Sequence, residues 1–198
     1  MKTYLLFFFT IFLSFSGLAQ SNLETREIVI LPNSSLSIAG TTNINEFECD
    51  FNPLSFKNES FKVHYIDKER ALIFKNSILT LENKNFDCGH RKINKDFHEL
   101  LKTEKHPEIL LKIKKIDLKQ EEEATVTLSF TIAGIENDYK FPIEINWENQ
   151  VRFEGKLELN IKDFNLEAPT KIFGLIVLSG SLTSDDDLFV TKRWVFSD

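Results

Sequence analysis

In "VRFEGKLELNIKDF", Val151 to Phe164, apolar and polar residues change places at almost every step. A period of two belongs to a β-strand, because successive side chains leave the backbone on opposite sides. Val151, Phe153, Leu157, Leu159 and Ile161 fall on one face, and Gly155 interrupts it, as happens where a strand bends or another group comes close. The same pattern recurs upstream. In "ATVTLSFTIAG", Val126, Leu128, Phe130 and Ile132 oppose Thr125, Thr127, Ser129 and Thr131. In "YKFPIEINW", Tyr139, Phe141, Ile143, Ile145 and Trp147 alternate with Lys140, Glu144 and Asn146.

Other strand-like segments are "EIVIL" from Glu27, "SSLSIAG" ending at Gly40, "ECDFNPL", "SFKVHYI", "ALIFKNSILTL", "EILLKIKKIDL", "LIVLSGSL" and "LFVTKRWVF". "TTNINEF" reads as a turn or short helical bend, since Thr and Asn bond back to their own backbone. "GIEND" reads as the turn-rich link of a hairpin. One helix is expected over Ile93–Thr103, where Ile93, Phe97, Leu100 and Leu101 share a side, with Asn94 as cap and Pro107 forbidding extension beyond about Lys105. Many antiparallel strands, one helix and no βαβ rhythm predict an all-β barrel or sandwich.

The first nineteen residues are set apart. Lys2 precedes the apolar run "YLLFFFTIFLSF", and the small residues Gly17 and Ala19 offer a cleavage point before Gln20. This is the pattern of a secretory signal, too short for a comfortable membrane span. The expectation is an exported chain, periplasmic or secreted, soluble after cleavage near Ala19, with residues 20–198 forming one domain and membrane association at most transient.

Export places Cys49 and Cys88 where a disulfide persists. A zinc site built on Cys88 and His90 is the competing reading, but a structural zinc ion wants four ligands and the chain has no second close pair. His64, His90, His98 and His106 show no metal-binding spacing, so neither a metal nor a cofactor is expected. No Gly-x-Ser-x-Gly elbow or phosphate-cradling glycine loop occurs, and no catalytic residues are expected. A net charge of -6 opposes nucleic-acid binding. "QEEEA" and "SDDDL" read as solvated turns, and the "DDD" of the latter lacks the ligand spacing of a calcium loop.

The segments "SLSIAGTTNINEFECDF", "FDCGHRKINKDFHELLKTEKHPEILLKIKKI", "LSFTIAGIENDYKFPIEINW" and "FEGKLELNIKDFNLEAPTKIFGLI" resemble, in that order, the YceI-like family in its exported two-cysteine form. The resemblance runs from about Ser35 to Leu178. It implies an antiparallel lipocalin-like β-barrel with one short helix, whose elongated apolar lumen holds a polyisoprenoid or other long-chain lipid, such as an isoprenoid quinone or a fatty acyl chain. It implies no catalysis. Glu136 and Asn137 stand where many relatives carry Thr-Lys, and the tail from Ser184 adds "DDDLFVTKRWVF".

With that implication, Val126, Leu128, Phe130, Ile132, Phe141, Ile143, Ile145, Phe153, Leu157 and Leu159 are the expected ligand-lining residues. A strand from Val151 to Ile161 is roughly 35 Å long, a shape suited to a slender chain. The 19 phenylalanines supply flat apolar surface for such a lining. The alternative is a cell-envelope interaction module whose barrel core is solid.

Overall fold

The computed structural model describes residues 23–42, 46–56, 60–147, 150–167 and 172–184. The strands are β1 (Leu23–Val29), β2 (Ser35–Thr42), β3 (Glu46–Phe51), β4 (Ser60–Lys68), β5 (Ala71–Glu82), β6 (Phe86–Asp87), β7 (Glu108–Gln120), β8 (Glu123–Ile132), β9 (Ile135–Asn146), β10 (Val151–Asn160) and β11 (Ile172–Ser184). Among the described residues the one α-helix, α1, is Arg91–Leu100. The strands form one sheet in the order β1-β4-β5-β7-β8-β9-β10-β11-β2-β3-β6. Every pairing in it is antiparallel.

The sheet curls strongly on itself into a half-barrel, the architecture the alternation and the family resemblance predicted. Its two limbs meet at an antiparallel bridge between Ile30 and Ser184. There the Leu31 N–H donates to the Thr183 carbonyl at 2.9 Å, and the Thr183 N–H donates to Ser34 Oγ at 2.9 Å.

Two irregularities keep the apolar side chains on the concave face. In β7, Ile113 pairs with Leu128 but Lys115 pairs with Thr127, so Lys114 is an extra residue. This β-bulge puts Ile109, Leu111 and Ile113 on the same face as Ile116 and Leu118, although the count between them breaks alternation. In β5 the register shifts between Ile73 and Ser77, and Asn76 takes a left-handed φ of 53°. Bulges of this kind increase the local twist and help a broad sheet to curl.

The sequence expectations fail at several boundaries. β1 begins at Leu23, ahead of Glu27. The helix starts at Arg91, and its cap is His90, not Asn94: the His90 ring accepts from the Lys92 N–H at 3.2 Å. Asn94 instead accepts from the Cys88 N–H at 2.6 Å and donates to Asp87 at 2.9 Å, which fixes the loop entering the helix. The helix stops at Leu100 because Lys102 turns left-handed, with φ 54°, several residues before Pro107. "GIEND" is not a link. Ala133 and Gly134 alone make the turn, with φ of 48° and 81°, and Ile135 to Asp138 already belong to β9. Two positive φ values define the tight hairpin turn that matches strand twist. "TTNINEF" is split between the end of β2 and the start of β3, its middle residues 43–45 lying outside the described residues. Residues 1–19 and the segments "SDDDL" and "LFVTKRWVF" also lie outside them, apart from Ser184.

The Cys49–Cys88 disulfide is present and joins β3 to the loop before α1. Among the described residues, no three His, Cys, Asp or Glu side chains converge to hold a metal, and no helix is long and apolar enough to cross a membrane.

Candidate ligand cavity

The concave face divides into three zones. At one end, Phe97, Leu100 and Leu101 from the helical segment pack with Phe51, Phe86, Phe130 and the disulfide into a dense cluster. Phe86 stands edge-on to Phe51 at 4.9 Å and meets Phe97 at 5.5 Å. At the other end Val63, Tyr65, Leu72, Ile145, Trp147 and Val151 form a second cluster. The Trp147 indole N–H donates to the Glu121 carbonyl, which holds that ring across the β7–β8 turn. Between them lies a cavity of about 180 Å³.

The cavity is lined almost entirely by hydrocarbon. Six of the ten side chains expected from the sequence border it: Val126, Leu128, Phe141, Ile143, Phe153 and Leu157. Leu128 and Phe141 also touch both packed clusters, which marks the cavity as the space the two cores leave unfilled. The other four do not border it. Phe130, Ile132 and Leu159 are packed into the helix-end cluster, and Ile145 into the opposite one.

Sequence reasoning missed the far wall. Ile28 of β1 and Ile30 just beyond it, Leu36 from β2, Phe61 and Phe74 from β4 and β5, and Leu178 and Leu182 from β11 also line the space. Leu111, Ile113 and Ile116 of β7 complete it. The signal for β7 was present in "KIKKIDL", where the doubled lysine between two isoleucines marks the bulge. In β1 most residues are exposed, so alternation gave no warning that Ile28 turns inward.

Two glycines shape the wall. Gly155 and Gly180 face each other across β10 and β11. A Cβ on Gly155 would stand 2.9 Å from Ile143 Cγ2 and 3.2 Å from Phe141 Cε2, and one on Gly180 would stand 3.2 Å from Leu36 Cδ1. The lining side chains lean into the room these residues leave. Gly155 is thus the close-approach glycine that its place in the alternation predicted.

The polar groups nearest this interior are tied up in structure. The Tyr65 hydroxyl donates to Glu24 at 2.7 Å, and burial, followed by that hydrogen bond, pushes its pKa up to about 12. The Tyr139 hydroxyl donates to Asp163 at 2.8 Å, and burial, then Asp163, raises it further. On the outer face Ser129 and Lys114 hold Asp138, whose carboxyl stays below its ordinary range because of the Lys114 hydrogen bond first and Ser129 second. A partly open space with so little polar surface gives a ligand few polar groups to pair with. It rewards shape and removal of apolar surface from water.

The comparisons with known proteins agree with this geometry. The model of the YceI-like domain matches residues 37–186. The chain belongs to the YceI-like family. No curated protein matches it at the sequence level. Among solved structures, a polyisoprenoid binding domain from Saccharophagus degradans, described as implicated in plant cell wall breakdown, superposes with a TM-score of 0.56 at 10% identity, over 83% of this chain and 99% of that one. BcnA of Burkholderia cenocepacia gives 0.54 at 15% identity, over 76% of this chain and 95% of that one. The Campylobacter jejuni YceI protein gives 0.51 at 16% identity, over 61% and 86%. At these identities the likeness is one of fold. This YceI-like chain therefore shares their curled antiparallel sheet, and its cavity is read from its own residues.

Proposed function

We propose that this YceI-like chain binds and carries a long apolar lipid, without catalysis, as an exported periplasmic or secreted protein freed of residues 1–19. The ligand class is a polyisoprenoid, an isoprenoid quinone or a fatty acyl chain. The observation that carries the reading is the hydrocarbon-lined cavity of about 180 Å³ held open between two packed clusters. An apolar cavity of about 150 Å³ is already enough to stay dry and take up benzene. Each CH₂ group moved from water into such a space contributes about 0.8 kcal/mol, so a few isoprene units give useful affinity with no charged contact. The polyisoprenoid-binding relative of the same fold supports the choice of ligand class.

Mass spectrometry of an organic extract of the protein purified from its native host tests this. The expected result is one dominant long-chain species near one per protein. An extract repeatedly free of lipid, together with no uptake of an added polyprenol, would overturn the reading and leave the interaction module with a solid core.

A further inference from the structure

The ladder between β9 and β10 is short for strands of their length. It runs from Arg152↔Asn146 to Gly155↔Ile143 and stops, although β10 continues to Asn160 on β11 and β9 continues back to Ile135 on β8. Both strands thus have an unpaired edge facing each other over this stretch. Had the register continued, the next partner of Lys156 would be Pro142, which has no N–H to give. A proline inside a sheet is tolerated where its strand behaves as an edge. The strands are joined again only indirectly. Asn137 Nδ2 donates to the Asp163 carbonyl at 2.6 Å and Tyr139 donates to the Asp163 carboxylate, both reaching the 3-10 turn Ile161–Phe164 that follows β10. The Tyr139 ring stacks on Phe164 at 6.1 Å.

The interior behind this seam is the cavity. Phe141 on β9 and Leu157 on β10 line it from the two sides of the seam, and both are only half-buried. The ends of the half-barrel are closed by the two packed clusters. A space of 180 Å³ takes a group only somewhat larger than benzene, about one or two isoprene units, so the rest of a long chain must leave it somewhere. Parting β9 and β10 over this stretch breaks no ladder hydrogen bond, as also holds where β4 and β5 separate beyond His64↔Lys75, whereas the pairs β5–β7, β7–β8, β8–β9, β10–β11 and β11–β2 would each lose a ladder.

We infer that the seam between Phe141 and Leu157, bounded by Gly155↔Ile143 at one end and the Asp163 latch at the other, is a lateral portal for the lipid. The tail end lies in the cavity, Phe141 acts as the gate, and the remainder of the chain passes out between β9 and β10. Lys140 and Lys156 are exposed beside the opening, where they meet a polar or anionic head. This rests on lipid carriage as proposed above and adds the route.

The test is an exchange measurement with cis-parinaric acid, a fluorescent polyene fatty acid, displaced by excess oleic acid. In Lys140→Cys/Glu158→Cys a short bis-maleimide bridges the seam, with the same variant capped by N-ethylmaleimide as reference. In Thr127→Cys/Lys140→Cys it bridges the intact β8–β9 ladder, where those two residues are partners. The portal predicts that release slows by about tenfold or more with the seam bridged and is unchanged with the ladder bridged. It also predicts faster release from Phe141→Ala. Equal rates in all bridged and capped forms, or equal slowing by both bridges, overturn the portal while leaving carriage intact. A parent chain that binds no probe overturns carriage, and the portal with it.

Discussion

Cys49 on β3 is covalently joined to Cys88, two residues before the cap of α1, so the helix that closes one end of the cavity is tethered to the sheet edge. The loop entering the helix is locked from both sides. Asn94 holds the Cys88 N–H, and Asp87 accepts from Asn94 and from the Gly89 N–H, contacts that keep the Asp87 carboxyl below its ordinary range.

The paired variant Cys49→Ala/Cys88→Ala frees a loop with a sequence separation of 39 and is expected to lose about 2–4 kcal/mol of stability. Chemical denaturation of the variant beside the parent measures this. A change below about 0.5 kcal/mol would mean that the sheet and helix hold one another without the bridge.

Leu157→Trp and Phe130→Ala separate the cavity from the core. Leu157 borders empty space, so a larger ring there is expected to leave thermal unfolding nearly unchanged and abolish uptake of a fluorescent fatty acid. Phe130 is 1% exposed in the helix-end cluster, and its truncation is expected to cost about 3–5 kcal/mol. If Leu157→Trp destabilises the chain as strongly as a core change, the interior is tighter than its cavity implies.

The Ala133–Gly134 turn has a residue to spare for improvement. Ala133 holds a left-handed φ at a cost of about 1–2 kcal/mol, which Asn tolerates better, so Ala133→Asn should raise the melting temperature. Gly134→Ala should lower it. The added Cβ would stand 2.7 Å from His106 Cε1 on a backbone with φ 81°.

Tyr65 links stability to alkaline pH. Its folded pKa is raised from 10.0 to about 12, so the unfolded chain releases the proton first. The contribution is complete below pH 10 and is lost as pH rises through about 12, meaning that stability falls across that window. Denaturation midpoints measured at several pH values should show this fall for the parent, and a shallower one for Tyr65→Phe. Identical slopes would remove Tyr65 as the cause.

The all-β class, the helix α1, the disulfide and the inward face of β8, β9 and β10 were all legible in the sequence, because a period of two survives wherever a strand has one dry side. What alternation could not show is how the dry side is divided. Phe130 and Phe141 carry the same pattern, yet one is buried in the helix-end core and the other borders the cavity. That difference depends on which neighbours the curled sheet brings to each, a non-local fact. The misread "GIEND" has a local cause: Glu136, Asn137 and Asp138 look like turn residues, but they are spent on Ser129, Asp163 and Lys114. His90 escaped notice as a cap because the ring of histidine is an unusual stand-in for Ser or Asp.

Lys114, the extra residue of β7, gives that strand something like a reading frame. Pair the whole strand without a bulge and the count from Glu108 onward runs in strict twos, so Ile116 and Leu118 would swing to the water side while Lys115 and Asp117 would be driven among the hydrocarbons. Deleting the one extra residue instead leaves Ile113 and Ile116 two places apart, an even strand with the same side chains inward. A single deletion is therefore absorbed at this point of the wall, whereas one between Ile109 and Ile113 sets one flank of the strand against the other.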